Sequence, residues 1–155
     1  MCSTSASDVN EVKEALAQLE QTLKNARENG DKKAYSLNPL QLEAAELAVS
    51  EKFSVICGGP GTGKTTTVVK FIEAFLEIHP KGIIQMCAPT GKATSRLLES
   101  VKNQADAGPS SAPYYPAVRK ALAEDRLTSL TIHNCSSRIY PTANDLQQTI
   151  RSKQI

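Results

Sequence analysis

Near its start the chain carries apolar residues at Val9, Val12, Leu16, Leu19, Leu23 and Ala26, in a 3-4-3-4-3 spacing. This spacing lines one face of an α-helix. Asp8 stands at the head of the stripe as a cap, Glu11 follows it at capping-box distance, and Gly30 is placed to end the helix. At about two to three heptads the stripe is short for a stable coiled coil. It is therefore expected to pack on this chain, with a partner subunit or a further domain as the alternative. A polar linker over residues 31–36 leads to Asn38-Pro39, an N-cap followed by a first-turn proline. The helix opened there is expected to bury Leu40, Ala44, Leu47 and Ala48.

The period then changes. Phe53-Ser54-Val55-Ile56-Cys57 is a short apolar run with β-branched residues, which predicts a buried strand. Over residues 65–78, Val68, Val69, Ile72, Phe75 and Leu76 recur at helical spacing. Pro80-Lys81-Gly82 turns the chain, and residues 83–88 read as a second buried strand. Two such strands joined by a helix predict a right-handed βαβ unit and a parallel sheet. A helix over 93–102 is expected to turn Ala93, Leu97, Leu98 and Val101 inward and Arg96 outward. Residues 103–116 are rich in Gly, Pro and Ser and predict a loop. A short helix over 117–124, a brief apolar run at 129–133 and a polar stretch at 141–155 complete the pattern. The predicted fold class is α/β, a partial parallel sheet with flanking helices behind an N-terminal amphipathic helix. Residues 1–36 form the first helix and linker, and 37–155 the α/β lobe.

Between the first predicted strand and its helix lies Gly58-Gly59-Pro60-Gly61-Thr62-Gly63-Lys64-Thr65, which fits G-x-x-x-x-G-K-[ST] at every fixed position. Glycines let a backbone wrap closely, with N–H groups turned inward as an anion nest. The helix N-terminus adds partial positive charge beneath bound phosphates. Lys64 is then placed for the β- and γ-phosphates of ATP and the Thr65 hydroxyl for Mg²⁺. The alternative is a plain glycine-rich turn between a strand and a helix, a weaker reading because the motif fits at every fixed position and its flanks are the ones it needs. A dinucleotide-type G-x-G-x-x-G is absent, because counted from Gly59 and Gly61 its last position is Lys64.

Composition narrows the classes further. The chain has 155 residues, enough for one domain with a core, and a net charge of +2, which makes no bulk electrostatic case for nucleic acid. Aromatics are 5% and Trp is absent, which argues against a stacking platform for single strands. The cysteines, Cys2, Cys57, Cys87 and Cys135, form no C-x-x-C pair, and Cys57 and Cys87 fall in predicted strands. They read as small core hydrophobes in a reducing compartment, not as a zinc site. His133 and Cys135 stand two apart with no orienting acid and make no nucleophile pair. No apolar signal core and no run of about 18 apolar residues occurs, so no membrane segment is expected and the location is most simply cytoplasmic.

Two polar positions stay open on spacing alone. Gln41 is three residues after Asn38, where a capping-box partner belongs. Pro89-Thr90-Gly91-Lys92 follows the second predicted strand directly, at the strand end where open α/β sheets bind ligands. It reads either as a phosphate-backbone contact or as an ordinary turn capped by Thr90. Tyr114 and Tyr115, in the breaker-rich loop, read as packing residues or as a surface for base stacking.

Several of these segments together resemble one family. Residues 54–68, with Gly-Gly-Pro-Gly-Thr-Gly-Lys-Thr-Thr-Thr, look like the P-loop of RecD-type superfamily 1 DNA helicases, the α subunit of exodeoxyribonuclease V and its relatives. Residues 87–97, with Ala-Pro-Thr-Gly-Lys-Ala, resemble their motif Ia, Thr131-Ile132-His133 their short Thr-Leu-His element, and Leu40-Gln41 their glutamine motif. The likeness covers most of residues 38–135 and implies a RecA-like P-loop ATPase lobe. It implies that Gln41 contacts the adenine, against the capping reading. It implies that Gly58, Gly59, Pro60, Gly61, Thr62, Gly63, Lys64, Thr65 and Thr66 hold ATP and Mg²⁺. It implies that Pro89, Thr90, Gly91, Lys92 and His133 lie on the path of single-stranded DNA. It also implies 5′→3′ helicase activity beside other exodeoxyribonuclease V subunits, in double-strand break repair and recombination. One departure limits the expectation. Such helicases need a strand ending in Asp-Glu, and the sequence has no Asp-Glu pair; Glu124-Asp125 is reversed and follows a helical run. The chain therefore reads as part of a first motor lobe, with little turnover of its own. The competing expectations are a stand-alone nucleotide-binding module docking through its N-terminal stripe, and another P-loop ATPase such as a relaxase-linked helicase.

Overall fold

The structure, a computed structural model, describes residues 6–51, 54–109 and 113–134. Cys2, Phe53, Cys135 and the polar stretch 141–155 lie outside the described residues. In chain order the elements are α1 (Ala6–Glu28), α2 (Pro39–Ser50), α3 (Lys64–Ile78), β1 (Ile84–Ala88), α4 (Gly91–Ala105), α5 (Pro116–Ala123) and β2 (Leu127–Thr131).

Helix α1 forms along the predicted stripe but begins at Ala6, so Asp8 lies in its first turn and is not its cap. It ends at Gly30, whose φ of 95° lets the Gly30 and Asp31 N–H groups reach back to Arg27 and Ala26. Its apolar face packs on this chain: Val12, Leu16 and Leu23 have 0% exposure, with Val12 and Leu16 set against Ala45 of α2 and Ala74 of α3. Removing a side chain so enclosed costs both transfer energy and a cavity.

Helix α2 is capped by Asn38 as expected, yet its buried face is not the predicted one. Leu40 and Leu47 are exposed, and Ala45 is buried, with Leu42 and Val49 packed on the core beside it. The helix is apolar on several sides, so periodicity supplies no phase and packing on α1 and α3 chooses it.

Helix α3 is central. Val69, Ile72 and Leu76 enter one core cluster and Ala74 the other. Polar side chains on it are buried too, Thr67, Lys70 and Glu73 among them. Lys70 Nζ donates to Glu20 Oε1 of α1 at 2.7 Å and also to the Tyr35 carbonyl. Burial pulls the Lys70 ammonium below its ordinary value, opposed by the Glu20 carboxylate. Glu73 accepts hydrogen bonds from the Ala117 and Val118 N–H groups at 2.9 and 2.7 Å, capping α5, whose own N-cap residue Tyr115 makes no side-chain cap.

The sheet pairs β1 with β2 in parallel, with Ile84 beside Leu127 and Ala88 beside Thr131. This corrects the predicted βαβ unit. Residues 54–57 form no strand, Val55 is 68% exposed and Cys57 is exposed as well. A short apolar run becomes a strand only where a neighbour completes its hydrogen bonds. Here β1 takes that neighbour from residues 127–131, so the crossover runs through α4 and α5. Helix α4 also continues to Ala105, past the predicted loop start. Tyr115 is buried in the core, and the Tyr114 hydroxyl donates to Asp31.

Candidate nucleotide-binding site

The segment 58–63 leads directly into the first turn of α3. Gly61 and Gly63 have φ of 77° and 79°, the left-handed region where a side chain is strained. At Gly63 a Cβ would also stand 2.6 Å from Gln41 Nε2, and at Gly58 one would stand 2.6 Å from Thr62 Oγ1. The glycines thus serve curvature at one pair of positions and close approach at another.

Lys64 turns its ammonium into this loop. Nζ donates to the carbonyls of Gly58 and Gly59 at 2.7 and 2.6 Å, with Thr62 Oγ1 at 3.3 Å. Thr62 Oγ1 in turn donates to the Gly59 carbonyl at 2.9 Å. The cation therefore sits within the curve of the backbone, beside the positive end of α3, where a side chain at Gly58 or Gly63 would displace Thr62 or Gln41. That donor set fits a polyphosphate: ammonium, backbone N–H groups and the hydroxyl of Thr65 at the helix start.

Gln41 acts as the capping-box partner that its spacing predicts, and also reaches the loop. Its Oε1 accepts from the Asn38 N–H at 3.0 Å and Asn38 Oδ1 accepts from the Gln41 N–H at 2.9 Å, a complete capping box. Its Nε2 donates to the Thr62 carbonyl at 2.8 Å. One side chain thereby caps α2 and ties it to the loop. Thr66 Oγ1 accepts from Gln104 Nε2 at 3.0 Å. An open cleft of about 350 Å³ lies beside Thr66, Gln104 and Tyr35, and the loop residues 58–64 do not line it. Donor chemistry, not cavity size, marks the site.

The second loop stands elsewhere. Pro89, Thr90, Gly91 and Lys92 are exposed at the carboxyl end of β1, and Thr90 Oγ1 accepts from the Ala93 N–H at 3.2 Å, capping α4. His133 is exposed just past β2, whose end is level with that of β1. These positions form one edge of the sheet. The Gln104–Thr66 contact places the other end of α4 at the start of α3. By helix rise, Gly91 is about 20 Å from that contact. The structure therefore gathers Gln41 and 58–66 into one site and leaves 89–92 and His133 as a second. Glu124 and Asp125 sit in the turn before β2, with Asp125 at a φ of 54°, and end no strand.

Sequence reading missed the Glu20–Lys70 pair, the Glu73 cap and the Gln104–Thr66 contact. A faint signal existed for Lys70 and Glu73, since apolar residues occupy α3 on more than one side and leave little surface for its charges.

A family model described as an AAA domain matches residues 41–151. The chain belongs to that family. This AAA domain is 52% identical over 64 residues to the RecBCD enzyme subunit RecD of Haemophilus influenzae, a stretch covering 41% of this chain and 10% of that protein. It is 46% identical over 69 residues to the subunit of the same name from Mycobacterium tuberculosis, covering 41% and 12%. It is 34% identical over 64 residues to the DNA polymerase alpha-associated DNA helicase A of Saccharomyces cerevisiae, covering 41% and 9%. The likeness is confined to that stretch, and the chain spans about a tenth of the length of these relatives. No solved structure matches it. No helix among the described residues is long and apolar enough to cross a membrane.

Proposed function

We propose that this domain is the ATP-binding portion of an ATP-dependent 5′→3′ DNA helicase subunit of exodeoxyribonuclease V, acting in double-strand break repair and recombination. A cytoplasmic location and a complex with other subunits of that enzyme go with the proposal. The observation that carries it is the Lys64 ammonium held inside a loop in which Gly61 and Gly63 take the left-handed backbone conformation. Lys64 would exchange the Gly58 and Gly59 carbonyls for phosphate oxygens of ATP, the Thr65 hydroxyl would hold Mg²⁺, and Gln41 would contact the adenine. Single-stranded DNA runs along Pro89, Thr90, Gly91, Lys92 and His133. The division into 1–36 and the lobe 37–155 belongs to the same reading.

Bound Mg²⁺ supplies charge neutralisation on the phosphates. The protein's share is to bind and orient: loop N–H groups and Lys64 hold oxygens, and Gln41 fixes the loop to α2. The sequence has no Asp-Glu pair to position metal and water, so binding without appreciable turnover is expected. The docking-module alternative loses its support, because the stripe it needs is covered by α2 and α3.

The test is equilibrium binding of a fluorescent ATP analogue with Mg²⁺. Lys64→Ala should weaken it by at least about tenfold, the loss of one charge-assisted contact. Thr90→Ala with Lys92→Ala should weaken single-stranded DNA binding and leave the nucleotide affinity unchanged. Equal nucleotide affinity in wild type and Lys64→Ala would sink the proposal.

A further inference from the structure

The linker between α1 and α2 is held by buried charge. Lys70, with 0% side-chain exposure, donates to Glu20 Oε1 at 2.7 Å and to the Tyr35 carbonyl. The second carboxylate oxygen, Glu20 Oε2, accepts from the Leu37 N–H at 2.6 Å. One ion pair therefore joins α1, α3 and the backbone of residues 35 and 37. Ala34 is fully buried beside them, and Arg27 reinforces the hold, its guanidinium 5.0 Å from the Tyr35 ring centre.

The next residue is Asn38. Its N–H is held by Gln41 Oε1, and Gln41 Nε2 is on the Thr62 carbonyl of the phosphate loop. The contacts form one unbroken sequence: Glu20 and Lys70, linker backbone, Asn38, Gln41, loop. Apolar side chains of similar volume often replace a buried ion pair with little loss of stability. What an ion pair adds is direction. Each of its partners aims at a specific backbone group, and those groups set where the capping box begins.

We infer that Glu20 and Lys70 are positioning residues of the nucleotide site, holding the linker so that Gln41 reaches the phosphate loop. The first helix is then a working part of the ATP site although no residue of it is expected to touch ATP. The inference rests on the role proposed for Gln41 in nucleotide binding.

The experiment is a mutant cycle on MgATP affinity and thermal stability. It compares wild type, Gln41→Ala, the apolar replacement Glu20→Leu with Lys70→Met, and the combination of all three. Gln41→Ala should weaken ATP by about tenfold, the worth of one hydrogen bond that orients the loop. The apolar replacement should keep its melting temperature, weaken ATP by a similar factor, and add nothing to Gln41→Ala. Non-additivity is the readout that a merely structural role does not produce. Full additivity, or unchanged ATP affinity in the apolar replacement beside a weakened Gln41→Ala, overturns the inference. Unchanged affinity in Gln41→Ala instead overturns the role of Gln41, and the inference falls with it. If the apolar replacement shows no cooperative melting, Glu20→Gln takes its place in the same cycle, with the same outcomes.

Discussion

Glu73 is a carboxylate enclosed in the core, and its two oxygens serve the start of α5. Burial pushes its carboxyl above the ordinary 4.5; the Ala117 and Val118 N–H groups oppose this, and Glu77 adds to it. The folded protein therefore holds this proton more tightly than the unfolded chain. The resulting stabilisation is fully present below pH 4.5 and is lost as pH rises through the raised folded value. Glu73→Gln removes that titration. Urea midpoints of both proteins at pH 7, 5.5 and 4.5 should show the difference moving in favour of the wild type as pH falls. A difference independent of pH would show that the carboxyl does not titrate where its burial places it. The cap that Glu73 makes was not legible in the sequence, because the groups it holds lie 44 and 45 residues away. Lys64 and its glycines were legible, because the loop that needs them closes within six residues.

Helices α1 and α2 show the limits of periodicity. In α1 apolar and polar positions alternate cleanly, and the stripe that predicts the helix is the face that packs. In α2 nearly every side carries Leu, Ala or Val, and the observed face is Leu42, Ala45 and Val49. The difference is measurable. Leu16→Ala should cost about 2–5 kcal/mol, as for other enclosed leucines. Leu47→Ala, at a side chain 49% exposed, should fall within about 0.5 kcal/mol of wild type. Chemical denaturation of the two variants decides it, and a large loss at Leu47 would restore the face expected from spacing. The caps behaved differently from the faces. Asn38 with Gln41, Thr90 and Gly30 all act where spacing put them, since a cap needs only groups within about four residues.

Across the whole molecule, the α/β class and P-loop nature stand, while the strand expected before the loop does not form. Residues 54–57 carry the right side chains but no partner strand among the described residues. The core gathers instead around α3, with β1 and β2 paired to one another. Amide exchange by NMR or mass spectrometry should therefore be fast over 54–57 and slow over Ile84–Ala88 and Leu127–Thr131. Strong protection at 54–57 in the protein alone would mean that a neighbour does pair with it. The two candidate ligand regions lie at opposite ends of α4, which Thr90 caps at one end and Gln104 joins to Thr66 at the other.

Short-range interactions carried the part that was readable in advance: the caps at Asn38 and Thr90, the stop at Gly30, and the glycine loop from Gly58 to Thr65. Each depends on groups a few positions apart, so residue type and spacing specify it. Pairing across the chain was decided only on folding. Glu20 meets Lys70 across 50 residues, and β1 selects residues 127–131 as its neighbour. An apolar run states that it will be buried or paired but not with what, because every comparable run offers the same hydrogen bonds and the same apolar surface. The choice falls to the arrangement that satisfies the most of both at once.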